Sequence, residues 1–499
     1  MTPEAAYADL IRRVQQAGVL ASCAGLLGWD ERTYMPRAGA GHRGEQMALL
    51  ARLGHEMVTD PRVGEALTVI EASKPDSDAA ANVREIRRTY DRATKLPKEL
   101  VEELARVTSQ AQGVWQEARR ASDFALFRPW LERIVALKRR EAAAVGFTDH
   151  PYDALLDEYE PGVTTAESRQ LFAELAAGLV PIVAAIAGSA QQPDCALLHR
   201  EFPADRQEIF AQSAAAAIGF DFDAGRLDTT THPFCSGLGP GDCRITTRYN
   251  PRFFNEAFFG VMHEAGHGIY EQNLPADQHG TPLGTATSLG IHESQSRLWE
   301  NQVGRSRPFW EHFFPRARQT FPAALRDVSL DQWLFAINDV RPSLIRVEAD
   351  EATYNLHIIL RFELEQALLT GDLAPVDLPD AWNEKFQKML GLTPPDDARG
   401  CLQDIHWSFG GLGYFPTYTL GNLYAAQFMA AARRDMPGLD ADFGRGEFAR
   451  LKNWLTDNIH RHGQRFRARE LCRRITGQSL DHQPFLAYLR AKYEPLYDL

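Results

Sequence analysis

The stretch FFGVMHEAGHGIY, residues 258–270, contains the pattern HExxH at His263, Glu264 and His267. On an α-helix, two histidines four positions apart leave the same face one turn apart, as two ligands of one metal ion require. Glu264 follows the first histidine, where its carboxylate can reach a water molecule on the metal without being a ligand. The alternative is a helix that carries two histidines by chance. We predict a zinc site on a helix, with one ion per chain.

The rest of the chain is typical of a large soluble protein. Its 499 residues carry a net charge of −12 without a lysine- or arginine-rich tract, which argues against a nucleic-acid partner. The first residues, MTPEAAYADLIRRVQQAG, include early acids and lack a continuous apolar core, so no signal peptide is predicted. No uninterrupted apolar run predicts a membrane span. The scattered cysteines form no CxxC pair, and we expect reduced thiols in a cytoplasmic protein.

Helical periodicity covers most of the chain, with apolar residues at steps of three and four. Examples are GEQMALLARLGHEM at residues 44–57 and YNLHIILRFELEQALLTGD at residues 354–372. The turn-rich pieces between such stretches are too short to be interdomain linkers, and no repeat period is present. We therefore predict one mainly α-helical domain over residues 1–499, with two lobes around a groove.

The best strand signal is DCRITTRY, residues 242–249, which places Asp242 and Arg244 on one face. It precedes the metal helix, which we expect to begin at Asn250. An edge strand of a small sheet beside the zinc site can hold an extended peptide by main-chain pairing, with these two residues as substrate contacts. The alternative is an exposed ion pair between Asp242 and Arg244.

A catalytic zinc needs a third protein ligand and one open position. A third histidine in the pattern HExxHxxGxxH is excluded, because Tyr270 and Asn273 occupy the glycine and histidine positions. The segment SLGIHESQSRLWEN, residues 288–301, predicts a following helix that can bring Glu293 to the metal.

The same segment leaves two rival ligands and one other role for Glu293. His292 and Glu300 are rival ligands. Glu293 can also form an ion pair with Arg297, four positions later, on an exposed face of the helix.

Such a site predicts hydrolysis of an amide bond. Zinc lowers the pKa of a bound water from about 16 towards 7, and Glu264 takes the proton as general base and later passes it to the leaving nitrogen. The oxyanion needs a second donor, such as a tyrosine hydroxyl or an imidazolium. A site of two histidines and one carboxylate also accepts cobalt or manganese.

The sequence resembles the thermostable carboxypeptidase (carboxypeptidase Taq) family of zinc metallocarboxypeptidases. The matching motifs follow one another in the family's order: HPF at His232–Phe234, DxRxT at Asp242–Thr246, HExxH at His263–His267, HESQ at His292–Gln295, IRxxAD at Ile345–Asp350 and GxxQDxHW at Gly400–Trp407. The resemblance implies a cytoplasmic, homodimeric, mainly helical metallopeptidase with a deep groove. It implies removal of single residues from peptides with a free C-terminus. It also implies Glu293 as the third ligand.

A carboxypeptidase has to hold a terminal carboxylate, and arginine does so through two parallel hydrogen bonds. Arg346 is the first candidate. On a helix it would share a stripe with Asp350, Tyr354 and His357. The alternative is an exposed pair of Arg346 with Asp350. Arg244 is the rival carboxylate binder.

One segment is rich in glycine and aromatic residues: QDIHWSFGGLGYFPTYTLGN, residues 403–422. This composition is typical of a mobile loop over a site. Tyr414 or Tyr418 is the candidate donor to the oxyanion, and His406 a candidate pocket residue. His232 is a candidate substrate contact. For the two tyrosines and His406 the alternative is ordinary packing in the core. For His232 it is packing in a turn before a proline.

Two other functions fit the same site. A helical zinc endopeptidase or dipeptidase shares the HExxH pattern with a glutamate ligand. A non-catalytic zinc-binding scaffold is the second alternative, but a purely structural site needs no base and is closed by a fourth protein ligand. The presence of Glu264 therefore favours an enzyme.

Overall fold

The computed structural model describes residues 2–499, and most of them lie in α-helices, which confirms the mainly α-helical class. The helices before the sheet are α1 (Pro3–Thr33), α2 (Ala40–Val58), α3 (Pro61–Ala72), α4 (Ser77–Lys95), α5 (Lys98–Ala121), α6 (Phe124–Val145), α7 (Pro151–Tyr159), α8 (Thr165–Gly188) and α9 (Ala204–Ile218). The helices after it are α10 (Phe254–Gln272), α11 (Leu289–Arg297), α12 (Arg307–Thr320), α13 (Pro322–Leu325), α14 (Leu330–Ile337), α15 (Tyr354–Thr370), α16 (Leu378–Leu390), α17 (Pro416–Asp435), α18 (Leu439–Gly444), α19 (Ala449–Asn458), α20 (Ala468–Thr476) and α21 (Gln483–Tyr497).

The chain divides into two compact units, each assembled from three segments. The first unit comprises the described residues up to Thr94, together with Pro193–Ile337 and Phe428–Ser479. The second unit comprises Lys95–Gln192, Asn338–Gln427 and Leu480–Leu499. The single domain over residues 1–499 and the groove stay predictions.

Helix α8 of the second unit is long and apolar enough to cross a membrane by length and composition, and a core helix of a soluble protein passes the same test. Its N-terminus is a capping box: the side chain of Thr164 accepts a hydrogen bond from the backbone N–H of Glu167, and the side chain of Glu167 accepts one from the backbone N–H of Thr164. Leu175, Leu179 and Ile186 are fully buried at steps of four and seven. They form one buried stripe, as in a helix that packs on a protein core.

The first unit contains a three-stranded sheet formed by β1 (Gly225–Thr229), β2 (Cys235–Gly239) and β3 (Asp242–Thr247). The spatial order is β1-β3-β2, with β1 parallel and β2 antiparallel to β3. The predicted strand at DCRITTRY therefore exists, but it is the central strand and not an edge. Both of its sides are already paired, so the prediction that it adds a peptide by main-chain pairing is wrong.

Helix α10 lies against β3 and begins later than predicted. The side chain of Asn250 accepts a hydrogen bond from the backbone N–H of Arg252, and this turn delays the helix until Phe254. Gly268 makes the close packing of the helix possible, since a Cβ there would lie 2.5 Å from the ring of Phe220 and 3.3 Å from the side chain of Ile245. The small sheet thus lies beside the HExxH helix.

An aromatic cluster anchors the N-terminal half of α10 in the core of the first unit. Phe254 lies 5.2 Å from Phe258 and 4.9 Å from Trp333, measured between ring centroids. Phe258 also contacts Phe210 at 5.4 Å and Trp310 at 5.2 Å. Burial of one such ring stabilises a fold by about 1.5–3 kcal/mol, so the cluster holds this helix firmly.

Candidate metal centre

Three side chains of the first unit converge as one candidate metal site. Their ligand atoms, one each from His263, His267 and Glu293, all lie within 4.8 Å of one another. Glu293 Oε2 is 3.6 Å from Nε2 of His263 and 3.4 Å from Nε2 of His267. Tetrahedral ligands at about 2.0–2.1 Å from zinc lie about 3.3 Å apart, so this donor set fits the ion in both chemistry and spacing.

Glu293 is held in place by its own helix. Ser288 caps the start of α11 by accepting the backbone N–H of Ile291. Arg297 Nε donates to Oε1 of Glu293 at 2.7 Å, and Ser296 Oγ donates to Oε2 at 3.1 Å. The pair of Glu293 and Arg297 considered above therefore exists, but it is largely buried. It leaves Oε2 facing the two histidines.

The electrostatics keep Glu293 ionised. Burial alone would raise the pKa of this carboxyl group, but the positive charges of Arg297 and His263 outweigh burial and hold the pKa well below its usual range. An ionised carboxylate is the form that ligates a metal.

Glu300, one of the two rival ligands, contacts the ring nitrogen of His263 that does not face Glu293. Its Oε2 lies 2.9 Å from Nδ1 of His263, and Arg297 Nη1 donates to the same oxygen at 3.1 Å. Although burial opposes it, the charge of Arg297 is the main cause that lowers the pKa of Glu300 to about 2. Since His263 turns Nε2 towards Glu293, Glu300 lies at the other ring nitrogen, outside the candidate ligand cluster of His263, His267 and Glu293.

His292, the other rival ligand, lies behind the second histidine. Its Nδ1 is 2.5 Å from Nδ1 of His267, and its Nε2 is 2.7 Å from Oε1 of Glu271. His292 therefore faces the ring nitrogen of His267 that points away from Glu293. Glu271 was not foreseen from the sequence, although its position eight residues after His263 on α10 could have indicated it.

Glu264 is buried beside the ligand cluster, with 7% of its surface exposed. Burial raises the pKa of its carboxyl group to about 7, against the opposing charge of His263. A carboxyl group with a pKa near neutrality can both take and release a proton at physiological pH.

The predicted substrate residues of the first unit differ in their availability. Arg244 donates from Nε and Nη2 to Asp242 at 2.8 and 2.9 Å, and its guanidinium lies 4.3 Å from the ring centroid of Trp29. The ion pair of the alternative thus exists, but Arg244 is only 17% exposed, and Asp242 occupies two of its five N–H groups. His232 is exposed in the bend before β2. The backbone N–H of Phe234, in the same HPF motif, donates to Oγ1 of Thr246.

Arg346, in the second unit, lies in a short 3-10 turn and not on α15. The predicted helical stripe through Arg346 is therefore wrong, because Asp350 accepts the backbone N–H groups of Ala352 and Thr353 in a turn, and the helix begins only after it, at Tyr354. The exposed pair of Arg346 with Asp350 is wrong as well. The Arg346 guanidinium is buried and bonds Asp404 through Nε and Nη2, at 3.0 and 2.7 Å.

Asp404 also binds a second buried arginine, Arg361, whose Nε donates to it at 2.7 Å. Two guanidinium groups thus share one carboxylate, and the charges of Arg346 and Arg361 hold the pKa of Asp404 well below its usual range despite burial. Burial lowers the pKa of the neighbouring His406 to about 3, so this ring is neutral. The cluster keeps an excess positive charge inside the second unit. An arginine within the apolar run of α15 was the signal for Arg361.

The segment 403–422 is packed rather than free. Glu365 of α15 accepts hydrogen bonds from Tyr152 Oη at 2.6 Å, Trp407 Nε1 at 2.8 Å and the backbone N–H of Gly413 at 3.1 Å. Three donors on one buried carboxylate fix the path of this segment, so the expectation of a loose loop is wrong at residues 407–413.

The two candidate tyrosines lie next to the buried imidazole of His406. Its Nε2 is 3.3 Å from Oη of Tyr418, and its ring centroid is 5.3 Å from that of the half-buried Tyr414. Tyr414 also packs against Tyr159 at 5.1 Å. The structure thus brings Tyr414, Tyr418 and His406 together within the second unit.

Comparison with known proteins gives a consistent result along the whole chain. The model of the carboxypeptidase Taq (M32) metallopeptidase family matches residues 9–493. Thermostable carboxypeptidase 1 of Thermus thermophilus is 52% identical over 511 residues, which cover 100% of both chains. Carboxypeptidase 1 of Bacillus subtilis is 40% identical over 498 residues and 99% of both chains. The crystal structure of the M32 carboxypeptidase from Deinococcus radiodurans R1 has a TM-score of 0.97 at 43% identity and covers 99% of this chain and 100% of that one.

Proposed function

Because this chain belongs to the carboxypeptidase Taq (M32) family of metallopeptidases, we propose that it cleaves the C-terminal peptide bond at a zinc centre held by His263, His267 and Glu293. As a metal-dependent carboxypeptidase it acts on peptides. The observation that carries the zinc assignment is the convergence of two imidazole nitrogens and one ionised carboxylate within 4.8 Å.

A divalent ion bound by these three groups supplies Lewis acidity, which makes a water molecule more acidic and polarises the carbonyl group of the scissile bond. The chain supplies the proton transfers. The carboxylate of Glu264 takes a proton from the attacking water as the new C–O bond forms. It then gives this proton to the amide nitrogen as the C–N bond breaks. The products are a shortened peptide and one free amino acid.

We propose Arg346 as the group that binds the terminal carboxylate of the substrate. Its bonds to Asp404 and Tyr354 use three of its five N–H groups, and the remaining two can bind an anion. Arg361 shares Asp404, so that carboxylate does not neutralise both arginines. Arg244 is the weaker candidate, because its ion pair with Asp242 balances its charge one to one.

The remaining candidates have supporting roles in this proposal. Tyr414 or Tyr418 donates a hydrogen bond to the developing oxyanion, and His406 orients the tyrosine pair as a neutral ring. His232 is exposed and free to contact a substrate. We also propose a cytoplasmic homodimer, with cobalt or manganese as the ions that can replace zinc.

The test uses N-blocked dipeptides, unblocked peptides and a long peptide blocked at its C-terminus. We expect release of the C-terminal amino acid from the N-blocked dipeptides, loss of activity with a chelator, and recovery with zinc. Cleavage confined to internal bonds of long peptides would identify an endopeptidase and contradict the proposal.

The general base is tested with Glu264→Gln, which preserves the size of the side chain. We expect its turnover to fall by at least about 100-fold, while zinc content stays at one ion per chain. Glu256→Gln, on the same helix but paired with Arg248, is the matched control and should keep full activity. Equal activity of Glu264→Gln and the wild type would rule out this role.

A further inference from the structure

The second metal-ligand histidine is in contact with a chain of two further side chains. His267 directs Nε2 towards Glu293 at 3.4 Å, and its other ring nitrogen, Nδ1, lies 2.5 Å from Nδ1 of His292. His292 in turn directs Nε2 towards Oε1 of Glu271 at 2.7 Å. One carboxylate is thus connected to the ligand atom through two imidazole rings.

The positions of the ring protons follow from this connection. A neutral His267 that offers the lone pair of Nε2 to a cation carries its proton on Nδ1. That proton is donated to Nδ1 of His292, which must then carry its own proton on Nε2. The Nε2–H group of His292 is donated to the carboxylate of Glu271. Every donor therefore meets an acceptor, and both rings are held in a single tautomer.

A glycine on the neighbouring strand makes room for Glu271. A Cβ at Gly237 of β2 would lie 2.2 Å from Oε2 of Glu271 and 2.7 Å from its carboxyl carbon. Any larger residue at position 237 would displace the carboxylate. The sheet therefore leaves space for the far end of this chain of contacts, while α10 and α11 supply the rings.

We propose that His292 and Glu271 are positioning residues for the metal ligand His267, acting through the defined tautomers of both imidazoles. The two ligand histidines are then supported in different ways. His263 contacts a carboxylate, Glu300, directly at 2.9 Å. His267 contacts the ring of His292, whose other nitrogen contacts the carboxylate of Glu271. Glu271 and His292 touch neither substrate nor metal, and they act by fixing the orientation and the lone pair of His267.

Zinc affinity of the metal-free protein, measured by competition with a chromophoric chelator, is the main test. We expect Glu271→Leu to weaken zinc binding by about 10–100-fold, as loss of a partner behind a ligand usually does. Glu271→Gln keeps an oxygen that accepts the Nε2–H of His292, so it should recover most of the affinity. The melting temperature of each metal-free variant serves as the measure of folding.

Two further variants separate positioning from a general effect on the helix. Gly237→Ala changes no member of the chain of contacts but displaces the Glu271 carboxylate, and it should weaken zinc binding as Glu271→Leu does. Glu256→Leu is the matched control, because Glu256 lies on the same helix and is 21% exposed, against 23% for Glu271. It should bind zinc as the wild type does. Equal losses in the Glu256 and Glu271 variants would overturn the proposal.

A spectroscopic measurement tests the tautomers themselves. In ¹⁵N-histidine-labelled, zinc-loaded protein, we expect the ring proton of His292 on Nε2 and that of His267 on Nδ1. A proton on Nδ1 of His292 would contradict the proposal. The inference rests on the proposed metal centre, and the two fail in different ways. A wild-type protein that binds no zinc contradicts the centre, whereas a zinc-binding wild type with an equally tight Glu271→Leu variant contradicts only the role of Glu271.

Discussion

Gly266 of α10 lies directly against the backbone of Gln295 in α11. A Cβ at position 266 would stand 2.6 Å from the carbonyl oxygen of Gln295 and 2.6 Å from Cα of Ser296. The bare backbone of Gly266 therefore sets the spacing between the two helices that carry His267 and Glu293. Backbone atoms cannot move aside as the end of a flexible side chain can, so this spacing is sensitive to a single methyl group.

Gly266→Ala should separate α10 from α11 and disrupt the ligand set. We expect a loss of unfolding free energy of about 1–3 kcal/mol, as for overpacked cores, together with weaker zinc binding. Urea denaturation and zinc titration measure the two effects. Gly113→Ala, on the exposed side of α5 with nothing near its Cβ position, is the control and should stabilise the protein slightly. Similar behaviour of both variants would show that the helix spacing is adjustable.

Replacement of Glu300 tests the support of the first ligand histidine. Glu300→Ala removes the carboxylate that contacts Nδ1 of His263 and that balances Arg297. We expect zinc affinity to fall by about 10–100-fold. Because Arg297 also holds Glu293, Glu300→Gln is the sharper variant: it retains an oxygen acceptor and should recover part of the affinity. Unchanged zinc affinity in Glu300→Ala would exclude this supporting role.

Removal of Asp404 should destabilise the second unit. Asp404→Asn leaves the buried guanidinium groups of Arg346 and Arg361 without their shared counter-charge. Removal of one partner of a buried ion pair typically lowers the free energy of unfolding by about 3–5 kcal/mol, and we expect urea denaturation to show a decrease of that size. Asp396→Asn removes a carboxylate from an exposed pair with Arg399 and should leave the midpoint near that of the wild type. Equal midpoints for both variants would contradict the prediction.

The buried carboxyl group of Glu365 predicts a pH dependence of stability. Burial raises its pKa to about 7, well above the ordinary value of a glutamate side chain. A group whose pKa is raised on folding contributes stability below its unfolded pKa and loses that contribution as the pH rises through the folded pKa. Wild-type protein should therefore lose up to about 3 kcal/mol relative to Glu365→Gln between pH 5 and pH 8. Urea denaturation of both proteins at the two pH values measures this, and a constant difference would refute it.

Removal of the metal should lower the melting temperature. Zinc that binds only the folded protein stabilises it by about 4 kcal/mol when free zinc is 1,000 times its dissociation constant. Calorimetry of the wild type with zinc and with a chelator should reveal the shift. Glu293→Gln weakens a ligand, so its melting temperature should respond less to zinc. A shift as large as that of the wild type would show that Glu293 is not a ligand.

The sequence predicts well those features that depend on neighbours along one helix. The HExxH spacing and the helix with Glu293 needed only local periodicity, and both are present. Pairings between distant segments could not be read in this way. The strand β3 is central because β1, which lies before β2 in the chain, pairs with its second side. Nothing in residues 242–247 distinguishes an edge strand from a central strand.

The environment of the candidate arginine illustrates the same limit. The spacing predicts Arg346 on a helix because α15 continues the same pattern, but a turn around Asp350 delays the start of that helix by eight residues. Its partner, Asp404, lies 58 residues later in the chain, and Asp404 also binds a second arginine, Arg361. Such contacts depend on the tertiary fold, which a single sequence does not reveal.

The three-segment construction of each unit has a consequence for biosynthesis. In the second unit, Leu486 of α21 occupies the space beside Gly178 of α8, where a Cβ would lie only 2.3 Å from its side chain. At about 5–20 residues per second, a ribosome needs roughly 15–60 s for the roughly 300 residues between them. Helix α8 therefore emerges long before its partner, and the nascent chain must keep an unfinished apolar surface from aggregating until the last helix is made.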